Sequence, residues 1–124
     1  MNTQPISSKV HALTDYVLAG SLLLLPTVLG LNKKAVKIYV AEALILLPYI
    51  ALTKTPVALK PMIPLRIHKK IDAVNIAQFA LQTIFNPIRR DRKALVLNLA
   101  VTLITGVSVL LTDWNEKQKQ VLLR

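Results

Sequence analysis

The sequence predicts an all-α membrane protein of four transmembrane helices, arranged as two helical hairpins that repeat one another in parallel. Three observations predict it: long uncharged apolar segments, basic clusters at their ends, and an internal repeat that carries both histidines. Of 124 residues, 53% are hydrophobic and only 18% charged, against about 25% charged in an average globular domain. The charges are also segregated. After the phenol of Tyr16 no ionisable side chain occurs before Leu31, and between Lys93 and Asp113 there is none. A helix in a soluble bundle needs a polar outer face that recurs every turn or two. These segments offer water nothing, so lipid is the better solvent.

Crossing the hydrocarbon layer takes about 20 mainly apolar residues, and four segments qualify: 10–31, 35–53, 67–88 and 94–112. The first and third connections are a few residues long, so each joins an antiparallel pair. The middle connection, 54–66, contains Pro56, Pro61 and Pro64 and separates the halves within one domain, 1–124. Pro26 and Pro48 interrupt the first two segments. Each frees a backbone carbonyl and favours a kink.

The halves repeat at an offset of 57. Ile6-x-x-Lys9-Val10-His11-x-x-x-Asp15-x-Val17 aligns with Ile63-x-x-Arg66-Ile67-His68-x-x-x-Asp72-x-Val74, so the repeats run over 6–53 and 63–113. With two helices per unit, both units enter the membrane from one side. The repeat is parallel, about an axis along the membrane normal.

The pattern His11-x-x-x-Asp15-x-x-x-x-Gly20, Leu25-Pro26, Leu29-Gly30 resembles the SPW-repeat integral membrane proteins of bacteria. Ile63-Pro64-Leu65-Arg66-Ile67-His68-x-x-x-Asp72 resembles the start of their second repeat. The chain departs from the Ser-Pro-Trp signature, with Leu25-Pro26-Thr27 and Gln82-Thr83-Ile84 in its place. The resemblance implies the four-helix architecture and a bacterial cytoplasmic membrane, and no particular activity.

A net charge of +10 does not imply nucleic acid, because the cations occupy no continuous face. They cluster at Lys33-Lys34, 66–70, 89–93 and 117–119, at the ends of apolar segments. Such clusters hold helix ends at the headgroup layer, so the expected partners are the bilayer and its anionic lipid. Nine Lys or Arg lie on the side of the termini and seven on the other, which favours cytoplasmic termini. The absence of cysteine excludes disulfides and thiolate metal sites. Asp15 interrupts the first apolar run and no small-x-small site precedes Asn32, so no signal peptide is expected.

Residues four apart lie one above the other on a helix, so His11 faces Asp15 and His68 faces Asp72. Three roles fit this pattern. Each imidazole can be held by its carboxylate and fix a helix end; the four groups can converge on Zn²⁺ or another divalent ion; or the two histidines can clasp a haem. The third segment carries a polar stripe, with Asn75, Gln78, Gln82 and Asn86 below His68 and Asp72. The fourth carries Asn98, Thr102, Thr105, Ser108 and Thr112, and the second Glu42, Tyr49 and Thr53. Such groups avoid lipid and bond to neighbouring helices or line water. Glu42, two turns into its segment, is expected to hydrogen-bond Asn98.

No phosphate loop, nucleophile elbow or Ser-His-Asp ordering is present, so no enzyme and no cofactor is expected. The size of the chain points to a non-enzymatic membrane module, self-associating or a small subunit of a larger complex. The alternatives are a small proton or cation channel using Glu42, Asp72 and His68, and a metal- or haem-binding membrane protein.

Overall fold

The computed structural model describes residues 4–115. Lys117, Lys119 and Arg124, which enter the charge comparison between the two sides, lie outside these residues. The described chain is all-helical: α1 Ser8–Val28, α2 Lys33–Leu52, α3 Leu65–Gln82, α4 Asn86–Arg89 and α5 Arg92–Leu111. There is no strand among the described residues, only two isolated parallel bridges, Ile6 with Thr112 and Thr53 with Ile63.

Local chemistry sets the helix ends. The Ser7 side chain accepts the amide of Val10 and starts α1. Gly30, at a φ of 72°, ends it. Its N–H donates to Thr27 O at 3.1 Å and that of Leu31 to Pro26 O at 2.9 Å, a Schellman closure that needs a left-handed residue at this point. Asn32 then caps α2 by accepting from Ala35, and Asp91 caps α5 by accepting from Lys93 and Ala94. Pro26 and Pro48 sit inside α1 and α2, which continue through them.

The third expected segment is corrected. The helix ends at Gln82, six residues short of 88, and a separate turn, α4, follows. Pro87 is the reason. It lacks the N–H that a continuing helix would direct to Thr83, and its ring clashes with the preceding turn. Three helices, α1, α2 and α5, are long and apolar enough to cross a membrane. By the same measure α3 falls short, because Arg66, Lys69, Lys70 and Asp72 crowd its first turns.

Helix α1 packs on α2 and α3 on α5, while α1 against α5 and α2 against α4 join the pairs. The core runs through Leu22, Tyr39, Phe79, Ile88 and Val101, with Ala35, Ala43 and Ala94 letting the backbones approach. The outer faces are apolar. Ile45 is 71% exposed, Leu103 68% and Leu110 74%, a run of surface that suits lipid and not water.

Candidate metal centre at a buried histidine–aspartate tetrad

Helix α1 brings His11 and Asp15, one turn apart, to one end of the bundle; α3 brings His68 and Asp72 to the same place. All four are buried. Each Nε2 lies between both carboxylates. His11 Nε2 is 3.1 Å from Asp15 Oδ2 and 3.0 Å from Asp72 Oδ2, and His68 Nε2 is 3.1 Å from each. The two motifs therefore do not form separate intrahelical pairs. They close a ring of alternating nitrogen and oxygen.

The outer edges of the imidazoles meet hydroxyls from the ends of α2 and α5. Thr53 Oγ1 lies 2.7 Å from His68 Nδ1 and Thr112 Oγ1 2.8 Å from His11 Nδ1. Each threonine spends its one proton on a carbonyl of its own helix, Thr53 on Tyr49 O at 2.8 Å and Thr112 on Ser108 O at 2.5 Å. A hydroxyl so committed can only accept from the imidazole. Both Nδ1 atoms therefore carry hydrogen and point outward, and both Nε2 atoms point into the ring. Ser108 Oγ adds a contact of 2.9 Å to His11 Nδ1.

Two aromatic groups complete the walls. Tyr49 stacks on His68, with centroids 4.3 Å apart, and its hydroxyl proton is shared between His68 O at 2.7 Å and Asp72 Oδ1 at 3.0 Å. Trp114 covers the ring from the side of the termini, 4.7 Å from His11 and 6.0 Å from His68. On the inner side lies a cavity of about 30 Å³, lined by Asp15, Asp72, Tyr49, Asn75 and Thr105 and floored by Leu22, Leu46, Phe79 and Val101. That is room for about one or two waters. That space is far smaller than a porphyrin.

Chemically the ring fits a cation. One ligand atom from each residue lies within 4.8 Å of the other three. With edges of 3.0–3.1 Å and a longest separation of 4.8 Å, the ring would need to draw in only slightly to bring its atoms to the 2.0–2.2 Å of zinc bonds to nitrogen and oxygen. With Nδ1–H held outward, loss of the Nε2 proton would leave each imidazole neutral with a lone pair facing into the ring, as metal ligation requires, and the threonines hold the ring orientation as outer partners of ligating histidines do.

The remaining polar residues form a second cluster beyond the apolar floor. Glu42 accepts from Gln78 at 2.9 Å and Gln82 at 3.3 Å, not from Asn98 as the sequence suggests. Asn98 Oδ1 instead accepts from Gln82 at 2.9 Å and Tyr39 at 3.0 Å, and Asn98 Nδ2 donates to Phe79 O at 2.8 Å and Thr83 Oγ1 at 3.0 Å. Asn75 reaches only the cavity wall. Asn86 leaves the stripe altogether: it stands on α4, exposed, and accepts from Arg89 at 2.9 Å. Thr102 and Thr105 make no bond between helices; their hydroxyls donate to Asn98 O and Val101 O one turn back.

Sequence reasoning missed Trp114 and Tyr39, and missed that Thr53 and Thr112 orient the histidines. A signal for the threonines exists. The second helices repeat at an offset of 59, which aligns Asn32 with Asp91, Ala35 with Ala94 and Thr53 with Thr112. The chain matches no family model, no curated protein and no solved structure.

Proposed function

We propose that this chain is a non-enzymatic integral membrane protein whose two parallel hairpins are joined by one divalent cation, Zn²⁺ or similar, held by His11, Asp15, His68 and Asp72. One observation carries the reading: two Nε2 atoms and two carboxylate oxygens converge, neighbours 3.0–3.1 Å apart and all within 4.8 Å of one another. Four protein ligands close the coordination shell, the mark of an ion that binds structure and not substrate. In this reading α3 is the fourth span. Its Arg66, Lys69 and Lys70 are exposed near one end and reach the headgroups, while His68 and Asp72 turn inward. The apolar floor of Leu22, Leu46, Phe79 and Val101 between the two polar clusters supports a closed interior over a channel.

Elemental analysis of protein purified without chelator tests the centre. The expected result is about one equivalent of divalent metal, lost alike in His11→Ala and His68→Ala. Metal-free protein whose thermal unfolding is unmoved by Zn²⁺ returns the ring to a purely hydrogen-bonded clamp. Trp114, the one tryptophan, is close enough to His11 for Cu²⁺ to quench its emission, which gives an independent measure of occupancy.

A second reading, assembly with a further copy or a larger complex, is favoured by the outer face of α3. Ala73, Ala77 and Ala80 are exposed there, and small residues let a neighbouring helix approach closely. Crosslinking between copies carrying single cysteines at Ala73 or Ala77 is the expected result; strictly monomeric protein in bilayer discs sinks it.

A further inference from the structure

At the end of the bundle opposite the tetrad, the turn after α1 and the segment around α4 enclose an open crease of about 550 Å³. Lys34, Arg90 and Arg92 line it, with Asn32, Asn86, Pro87 and Asp91. The cations at this end fall into two kinds. Lys93 Nζ donates to Leu29 O at 3.1 Å and Arg89 Nη2 to Asn86 Oδ1 at 2.9 Å, so these two heads are tied to the protein. Lys34, Arg90 and Arg92 are exposed and have no hydrogen-bonded or ion-paired acceptor among the described residues.

The one acid in the crease cannot serve them. Asp91 Oδ2 accepts from Asn32 N and Nδ2, both at 3.0 Å, and Oδ1 accepts from the amides of Lys93 at 3.1 Å and Ala94 at 3.3 Å. Four donors fill the carboxylate, and they hold its pKa below the usual aspartate range, the Asn32 amide foremost. The crease is therefore left with three uncommitted cations against one anion already used, an excess of two positive charges. Its place matters as much as its charge. It opens at the ends of α1, α2 and α5, the three helices apolar enough to span, which is the depth of the phosphates in a bilayer.

We propose that this crease binds the phosphodiester headgroup of an anionic membrane lipid, and a headgroup with two phosphodiesters more tightly than one with a single charge. Arginine presents paired N–H donors that match phosphate oxygens, and lysine adds a point charge. The Asn32 side-chain amide donates to Pro87 O and Asp91, and Asn86 Oδ1 accepts from Arg89, so the charge that recognises the headgroup comes from the three cations. The proposal depends on the spanning reading and is independent of the metal.

The experiment places the full chain in zwitterionic phosphatidylcholine discs and adds cardiolipin, or phosphatidylglycerol at matched phosphate. Bound lipid is counted by native mass spectrometry, and thermal unfolding is followed by circular dichroism. Cardiolipin is expected to stay bound and raise the midpoint more than phosphatidylglycerol. Each basic residue near an anionic surface is worth about fivefold in binding, so K34Q/R90Q/R92Q should weaken cardiolipin binding by about a hundredfold. R66Q/K69Q/K70Q removes the same charge from the other end and should weaken it far less. If the K34Q/R90Q/R92Q protein is unstable, R90Q and R92Q singly should each take their share.

Equal losses in the two triple variants mean general surface charge and overturn the site. So does inorganic phosphate that matches cardiolipin in lipid-neutral discs, because the ligand is then a free anion. A chain that fails to enter discs and washes from membranes in alkaline carbonate removes the spanning reading itself, and the lipid with it.

Discussion

Below their shared motif α1 and α3 part company, and the contrast shows what the two halves divide between them. Where α1 continues inward with Leu18, Leu22 and Leu25, the aligned positions of α3 are Asn75, Phe79 and Gln82. On the second helices, Glu42 of α2 stands where α5 has Val101, and Tyr39 where α5 has Asn98. At the tetrad the halves contribute alike, one histidine, one aspartate and one orienting threonine each. Deeper in the bundle they contribute opposites. The first half offers the carboxyl of Glu42 and the phenol of Tyr39, and the second offers the amides of Gln78, Gln82 and Asn98 that answer them. A pair of identical halves could satisfy the ring. Only two different halves can satisfy the deeper cluster, so that cluster makes the pairing one-directional.

The tetrad should give the largest effect. Removing one partner of a buried ion pair costs about 3–5 kcal/mol. Asp72→Ala should sit at the top of that range and Asp15→Ala below it, since Asp72 alone also accepts the Tyr49 hydroxyl. Unfolding in mixed micelles with increasing sodium dodecyl sulfate measures both, and equal costs would show that Tyr49 contributes nothing.

The orienting threonines come next. Thr53→Val and Thr112→Val keep shape and remove the acceptor for Nδ1–H. Changes to such outer partners lower metal affinity about 10–100-fold. Thr53→Val should do more, because His11 retains the Ser108 contact. Isothermal titration with Zn²⁺ reads the difference, and unchanged affinity in both variants would remove the threonines from the site.

A smaller effect is expected where the halves differ. Bonds between membrane helices contribute about 0.6 kcal/mol on average and up to about 1.7. Glu42→Leu removes two of them and should cost about 1–2 kcal/mol, whereas Val101→Leu at the aligned position should cost only its misfit. A proton gradient across liposomes should decay at the same background rate with wild-type and Glu42→Gln protein. A leak abolished by Glu42→Gln would replace the closed interior with a path.

The smallest effect belongs to Asp91. Its pKa is lowered in the folded chain, so its contribution is complete above the ordinary aspartate value of about 3.9 and is lost as the pH falls through the folded value. The unfolding midpoints of wild type and Asp91→Asn should differ at neutral pH and converge in acid. A gap that persists in acid would assign the effect to something other than the charge of the cap.

By itself the sequence determined the helices, the membrane and the repeat. Uncharged apolar runs leave lipid as the only solvent that suits them, and Asn32, Gly30 and Asp91 mark helix ends through short-range chemistry within a few residues. It also marked His11, Asp15, His68 and Asp72 as a matched set. The end of α3 was legible too, in Pro87, though an apolar window of spanning length conceals it. Only the tertiary structure decided how the four motif residues pair, because a spacing of four fixes neighbours within one helix and says nothing of the helix alongside. It decided likewise that Glu42 meets Gln78 and Gln82, that Thr102 and Thr105 turn back on their own helix, and that Trp114 covers the ring. Those choices depend on the rotation of each helix about its axis, which packing sets against all its neighbours at once and no single segment encodes.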